Sequence, residues 1–159
     1  MKAINILLPV LILLSAACSK HPDDADLMNE DAALPASFNF SKMGLKVISS
    51  SINQTRGTMS TLYGNDLALN TTKAGNPVHA GEVLAMITWK QKEDIHWFGA
   101  RIPGKVLSLE MIKTTGEQAG NIKTHYQRFE GKELVLKTDT TGNDQHIRYI
   151  LAQQPSVMP

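Results

Sequence analysis

The single cysteine, Cys18, and the five histidines are the residues whose types could support nucleophilic, redox or metal chemistry. One thiol cannot form an internal disulfide, a multi-cysteine zinc site or the C-x-x-C-H sequence that attaches haem covalently. The histidines are His21, His79, His96, His125 and His146. No two of them have the i, i+2 or i+4 spacing of a local metal-binding pair, and the common nucleophile-elbow, zinc-protease and phosphate-loop motifs are absent. We therefore predict no catalytic residue and no metal site, and favour a non-enzymatic role.

The residues before Cys18 form a targeting sequence. Lys2 supplies a positive charge, and residues 4–17 form an apolar run that is too short to cross a bilayer, which takes about 20 residues. Small residues at positions 15–17 lead directly to the cysteine, as cleavage by a signal peptidase requires. This register resembles the lipobox of bacterial lipoproteins, although Ser15 stands where Leu is usual.

We therefore predict a signal peptide over residues 1–17 and lipid modification of Cys18, with a diacylglycerol and an N-acyl chain of the palmitate type. The alternatives are an ordinary secretory signal or an uncleaved anchor. Ser19, rather than Asp, after the cysteine favours the outer membrane of the cell envelope, on either its periplasmic or its surface face.

The next segment, 18–37, is predicted to be a disordered acidic tether. Its sequence after the cysteine, "SKHPDDADLMNEDAALPAS", has five acidic residues, two prolines and no periodic apolar face. A solvated linker is the simplest interpretation, and an acidic export tag for surface display is the alternative.

Residues 38–154 have the composition of one globular domain, followed by a tail over 155–159. The formal net charge of +1 argues against a nucleic-acid partner, which would require clustered basic residues. Strand-forming patterns occur at 46–52, 58–63, 81–89, 105–112 and 122–129. A short helix begins at Asn65 or Asp66 and ends at Gly75.

The remaining patterns complete an α+β fold with an antiparallel sheet of about five or six strands and a few short helices. Residues 90–96 read as a polar loop, and Pro103 and Gly104 as a turn. Residues 132–138 are a strand or the start of a helix, and 146–154 a closing helix or strand. We expect Leu109 and Met111 to face one side of their strand, together with Leu107.

The order of these elements resembles the cytochrome P-460 family, which includes the cytochrome c′-beta proteins. The resemblance rests on "LYGN", "GEVLAMITWK" and "WFGARIPG" and covers about residues 38–129. It implies a homodimer, and a c-type haem held by a C-x-x-C-H motif near the C-terminus. This chain has no cysteine after Cys18, so that covalent attachment is excluded. Where some members have a lysine that crosslinks to haem, this chain has Met86 or a neighbour.

The resulting expectation is a cell-envelope lipoprotein with a P-460-like domain that acts as a binding or accessory module, with no cofactor and an unknown small-molecule ligand. One alternative is a non-covalent haem protein, an oxidoreductase or gas binder, whose candidate ligands by residue type are His96, His125, His146 and Met86. The other is a structural envelope protein. We expect Trp97 and Phe98 to anchor a strand edge against the core.

Overall fold

Six antiparallel strands form one sheet in the computed structural model, which describes residues 28–116 and 121–156. The strands are β1 Lys46–Asn53, β2 Thr58–Gly64, β3 Val83–Glu93, β4 Arg101–Gly116, β5 Ile122–Glu130 and β6 Val135–Leu136. Each strand pairs with the next one along the chain, so the spatial order is the same as the chain order. The predicted α+β class and the number of strands are confirmed. The predicted signal peptide and Cys18 lie outside the described residues.

Two helices cover one face of the sheet: α1, Asp66–Ala74, and α2, Asn143–Leu151. Asn65 caps α1 by accepting the backbone N–H of Ala68 at 3.0 Å, and Gly75 ends it in the left-handed conformation at φ 64°. The predicted bounds of α1 are therefore confirmed. The closing element that the sequence left open is helical. In the described part of the chain, neither helix is long and apolar enough to cross a membrane.

Strand β3 is buried on both faces, which explains its nearly continuous apolar sequence. We call the side beneath α1 and α2 the helix face. Its core consists of Ile48, Leu62, Leu84, Met86 and Ile112 from the strands with Ala68 and Ile150 from the helices. The opposite side is the segment face, because residues 28–45 cover much of it. Its core includes Phe40, Leu45, Ala85, Ile87, Trp89, Leu109 and Met111.

The β3–β4 hairpin is longer than predicted. Of the polar loop predicted at 90–96, residues 94–96 do lie in the loop, but 90–93 are strand, and the turn predicted at Pro103 and Gly104 was wrong because both lie in β4. Residues 90–93 continue β3 and pair with the beginning of β4. Backbone hydrogen bonds, and not apolar packing, hold this extension together. Its side chains are polar, so the sequence shows no apolar alternation that would have predicted a strand there. A side chain at Gly104 would place its Cβ 2.9 Å from the carbonyl oxygen of Lys90, so glycine permits the close approach of the strands.

An irregularity in the β3–β4 register changes the side to which part of β4 points. Thr88 pairs with Ser108, but the next pair is Trp89 with Val106, which leaves Leu107 unpaired. As a result Val106 joins the core of the segment face, whereas Leu107 is exposed. The expected orientation is correct for Leu109 and Met111 and wrong for Leu107.

Part of the predicted tether packs on the sheet. Trp89 Nε1 donates to the carbonyl oxygen of Ala32 at 3.0 Å, and Leu34 contacts the core of the segment face. Lys92 Nζ lies 2.9 Å from Asp31 Oδ2. Residues 28–37 of the predicted tether therefore contact the domain, because Ala32 and Leu34 supply apolar surface within an otherwise polar sequence. Residues 18–27 lie outside the described residues.

The predicted tail, 155–159, starts against β1. The backbone N–H of Ser156 donates to the carbonyl oxygen of Ile48 at 3.0 Å, and its hydroxyl accepts the N–H of Ser50 at 3.1 Å. These contacts partly cover the outer edge of the sheet. Residues 157–159 lie outside the described part.

Candidate functional site

A buried carboxylate, Glu110, lies on the helix face beneath α2. Its side chain is 8% exposed and accepts two contacts at Oε2. The Tyr126 hydroxyl donates to this oxygen at 2.9 Å, and His146 Nδ1 lies 3.2 Å from it. Glu110 pairs in the sheet with Met86 on one side and with Arg128 on the other. Three strands and a helix therefore determine where these side chains meet.

His146 connects Glu110 to Arg128. Arg128 Nη1 lies 2.8 Å from His146 Nε2. A guanidinium group only donates hydrogen bonds, so Nε2 must accept, and the ring proton must then be on Nδ1, where it can be donated to Glu110. This arrangement assigns a neutral imidazole with one tautomer. We refer to Glu110, Tyr126, Arg128 and His146 as the Glu110 cluster.

Burial and the adjacent Glu110 carboxylate determine the protonation of Tyr126. Burial is the largest cause that raises the pKa of Tyr126 far above its ordinary value, followed by the charge of Glu110 and the hydrogen bond between them. Arg128 opposes this shift more weakly. Tyr126 is therefore a neutral donor throughout the physiological range.

The Glu110 cluster has the base and the orienting group of a catalytic triad, but Arg128 occupies the place of a nucleophile. His146 Nε2, which would accept the proton of a nucleophile, is already bound to Arg128. Arg128 also contacts Glu130 through Nη2 at 2.9 Å. Its Nε is buried and has no hydrogen-bond partner among the residues described. As arranged, the cluster holds α2 on the sheet.

A second buried carboxylate, Glu82, lies at the beginning of β3. Glu82 is 2% exposed. Its Oε1 accepts the backbone N–H of His79 at 2.8 Å, while its own N–H donates to Thr114 Oγ1 at 2.9 Å. Thr114 Oγ1 in turn donates to the carbonyl oxygen of His79 at 2.6 Å. The first of these bonds holds Oε1 of the carboxylate, which also lies 3.7 Å from His79 Nδ1, and the two Thr114 bonds hold the backbone beside it.

Glu82 lines a cavity of about 170 Å³ between the two helices and the sheet. Leu62, Leu84 and Ile150 contribute apolar surface to its lining, and Thr71 of α1, whose Oγ1 lies 3.4 Å from His79 Nδ1, contributes polar surface together with Asn76 and Gln153. A cavity of about 150 Å³ can hold a molecule as large as benzene. A concave space that combines apolar surface with polar groups is a default candidate for a small-molecule site. We refer to this space as the Glu82 cavity.

The structure brings together only two of the four predicted haem-ligand candidates. Met86 is buried in the core of the helix face, opposite Glu110 in the sheet, and His146 contacts that same Glu110. His125 is exposed on β5, where its Nε2 lies 3.2 Å from Thr115 Oγ1, and His96 is exposed in the β3–β4 loop. Cys18, the predicted lipidation site, lies outside the described residues.

The expectation that Trp97 and Phe98 anchor a strand edge was wrong. Both are exposed in the loop between β3 and β4, because the hairpin extends four residues further than its apolar sequence and carries them away from the core.

Sequence reasoning did not identify Glu82, Glu110, Tyr126 or Arg128. A signal for the two carboxylates was present, since each is an acidic residue within or beside a strand of otherwise apolar character, "GEVLAMITW" and "KVLSLEMI". An acidic side chain that must be buried needs a partner. Tyr126 and Arg128 are ordinary strand residues in the sequence, and only the β4–β5 register places them beside Glu110.

Residues 28–116 and 121–156 contain no group of three or more His, Cys, Asp or Glu side chains arranged to hold a metal ion. In comparisons with known proteins, no family model and no curated protein matches this chain.

Proposed function

We propose that the chain is a lipoprotein of the bacterial cell envelope whose domain binds a small molecule in the Glu82 cavity. The single observation that carries the binding proposal is the buried Glu82, whose Oε1 is held by the backbone N–H of His79, at a cavity of about 170 Å³ with a mixed polar and apolar lining. A carboxylate is an acceptor, so it favours a small ligand with an N–H or O–H donor attached to an apolar body.

The lipoprotein part of the proposal rests on the sequence around Cys18. Its test is the mass of the mature N-terminus in a bacterial host that processes lipoproteins. The expected product begins at Cys18 and carries a diacylglycerol and an acyl chain. An unmodified cysteine, or a chain that still begins at Met1, would contradict it.

The likeness to the P-460 family also belongs to the proposal. The order β2, α1, β3 and the aromatic-glycine segment before β4 support it, and the homodimer is inferred from this likeness alone. Light scattering of the purified protein tests the homodimer, for which we expect twice the mass of one chain.

The ligand proposal is tested with benzylamine, benzyl alcohol and toluene, which share a ring that fits the cavity and differ in donor capacity. We expect benzylamine to raise the melting temperature most and toluene least. Glu82→Gln should reduce the benzylamine effect. The matched control Glu93→Gln, at an exposed carboxylate on the same strand, should retain it. If none of these probes or a wider set of envelope small molecules changes the melting temperature, the structural-protein alternative is favoured.

The non-covalent haem alternative has one supporting observation, the proximity of Met86 and His146 on the helix face. Both ring nitrogens of His146 are engaged, so haem ligation would require it to leave Arg128 or Glu110. The visible spectrum of protein from a haem-replete host decides between the proposals. A stoichiometric Soret band that weakens in His146→Ala would replace the Glu82 proposal, whereas a colourless protein would reject haem.

A further inference from the structure

The loop between β3 and β4 exposes three large apolar side chains close together in sequence. Ile95 is 91% exposed, Trp97 72% and Phe98 109%. Removing such side chains from water is favourable, so leaving three of them exposed forgoes a substantial free energy. Single exposed apolar residues are normal on protein surfaces, but a group of them at one protruding turn marks a contact site.

Hydrogen bonds within the loop hold these side chains outward. The N–H of Asp94 donates to the carbonyl oxygen of Ala100 at 3.0 Å, and the N–H of Ala100 donates to the carbonyl oxygen of Trp97 at 3.0 Å. The N–H of His96 donates to Asp94 Oδ1 at 2.8 Å. The loop is thus closed on itself, and its three apolar side chains are exposed in this conformation.

The chain enters the domain at the same end of the hairpin. Asn29 Nδ2 donates to the carbonyl oxygen of Pro103 at 2.6 Å, and Asp31 contacts Lys92. Pro103 and Lys92 both lie within a few residues of the loop, one on each strand. Met28, the first described residue, is itself 72% exposed.

The distance to the proposed anchor is short. Met28 is ten positions after Cys18 in the sequence, and ten steps of extended chain span at most about 33–36 Å. A lipid on Cys18 therefore holds this end of the domain, with the β3–β4 loop, close to the bilayer.

We propose that Ile95, Trp97 and Phe98 insert into the interfacial region of the bilayer that anchors Cys18, and so orient the domain on the membrane. Tryptophan favours the membrane–water interface, where its ring is partly apolar and its N–H remains hydrated. At the base of the loop Glu93 is paired with Arg101 at 3.4 Å, so apolar area and not net charge drives the contact. This inference rests on the proposed lipidation, which supplies the proximity.

The test uses the full-length protein, processed in a bacterial host and reconstituted into vesicles of three parts phosphatidylethanolamine to one part phosphatidylglycerol. Half of the preparations contain lipids with brominated acyl chains, which quench only tryptophan that reaches the apolar region. Trp89 is the internal reference, because it is buried and bound to Ala32. Trp97→Phe preserves the apolar contact and removes the reporting fluorophore. The fluorescence of wild type minus that of Trp97→Phe therefore gives the emission of Trp97.

We expect Trp97 to lose roughly half or more of its emission in brominated vesicles, with no dependence on salt, because an apolar contact is not screened. Ile95→Ser combined with Phe98→Ser should abolish most of this loss. The matched control Val47→Ser, at an exposed apolar residue of β1, should leave it unchanged.

Equal Trp97 emission in the two kinds of vesicle, for a protein whose N-terminal mass shows lipid on Cys18, would overturn the insertion and leave the lipoprotein proposal standing. A mass without lipid would overturn the lipoprotein proposal independently of the quenching result. A blue shift of Trp97 that depends on protein concentration and occurs without vesicles would assign the loop to contacts between copies, and would also overturn the insertion.

Discussion

At the scale of single residues, the two buried carboxylates are satisfied in different ways. Glu110 receives donors from Tyr126 and His146, so its position depends on side chains from a neighbouring strand and from α2. Glu82 is held mainly by the backbone around His79 and by Thr114. The fixed groups of the Glu110 cluster stabilise the docking of a helix, whereas Glu82 lines the cavity that we propose as the ligand site.

Tyr126→Phe should reduce the free energy of unfolding at pH 7 by about 1–3 kcal/mol, because it leaves the buried Glu110 with one donor fewer. The raised pKa of Tyr126 adds a dependence on pH. Since the pKa is higher in the folded protein than in the unfolded chain, this stabilisation is complete below about pH 10 and declines as the pH rises further. Urea unfolding at several pH values should therefore show that the free energies of unfolding of wild type and Tyr126→Phe converge at alkaline pH.

The control for this comparison is Tyr149→Phe, since Tyr149 is half-exposed on α2. It should change neither the stability at pH 7 nor the alkaline decline. An identical alkaline decline in wild type and Tyr126→Phe would show that Tyr126 is not the group responsible.

At the scale of elements, the close approach of β2 to α1 depends on Gly64. A Cβ atom built at this position would lie 2.5 Å from Ile48 Cδ1 and 3.1 Å from the Cβ of Ala68. Both neighbours belong to the core of the helix face, which has little freedom to adjust. Gly64 therefore sets the distance between the sheet and the helix that carries Thr71 to the Glu82 cavity.

Gly64→Ala should lower the free energy of unfolding by about 1–3 kcal/mol through overpacking. Gly116→Ala is the matched control on β4, because its new Cβ would be 3.5 Å from the nearest side-chain atom, an ordinary contact. Denaturant unfolding of both variants measures the difference. Equal stability of the two variants would mean that α1 can shift freely from the sheet.

At the scale of the whole molecule, the sheet has two different covers. Two helices and the Glu82 cavity lie on one face, and the N-terminal segment packs on the other. The first described residues of this segment also lie beside the β3–β4 loop. The segment therefore links the predicted anchor to the part of the surface that we propose contacts the bilayer.

A chain that begins at residue 38 should be less stable than one that begins at residue 28, by about 2 kcal/mol or more, because it loses the packing of Ala32 and Leu34 and the Trp89 hydrogen bond. The chain from residue 28 retains every contact described here. Equal midpoints for the chains from 28 and 38 would contradict the role of the segment.

The attachment of this segment should weaken in acid. The hydrogen bond and charge of Lys92 hold the pKa of Asp31 below its ordinary value. A lowered folded-state pKa means that the stabilisation is present above the unfolded value of about 3.9 and is lost as the pH falls through the folded value. Asp31→Asn should therefore be slightly less stable than wild type at pH 7 and equal to it well below pH 4, as urea midpoints can measure. Glu30→Gln, which removes the adjacent carboxyl group and keeps the ion pair of Asp31 with Lys92, is the control.

The sequence by itself determined the elements whose signals are local. The caps at Asn65 and Gly75 predicted α1 because the bonds that they make lie within a few residues of each other, and the apolar run of β3 predicted a buried central strand. It also determined that thioether-linked haem is excluded, since that chemistry needs thiols that the chain lacks.

Only the tertiary structure decided which distant side chains meet. The register of β4 with β5 and the docking of α2 place Tyr126 and His146 on Glu110, and the packing of α1 and α2 leaves the Glu82 cavity. The same holds for the exposure of Trp97 and Phe98, since aromatic residues predict burial until the hairpin is seen to carry them away from the core. The physical reason is that such contacts depend on pairing between residues far apart in sequence, which a local pattern does not encode.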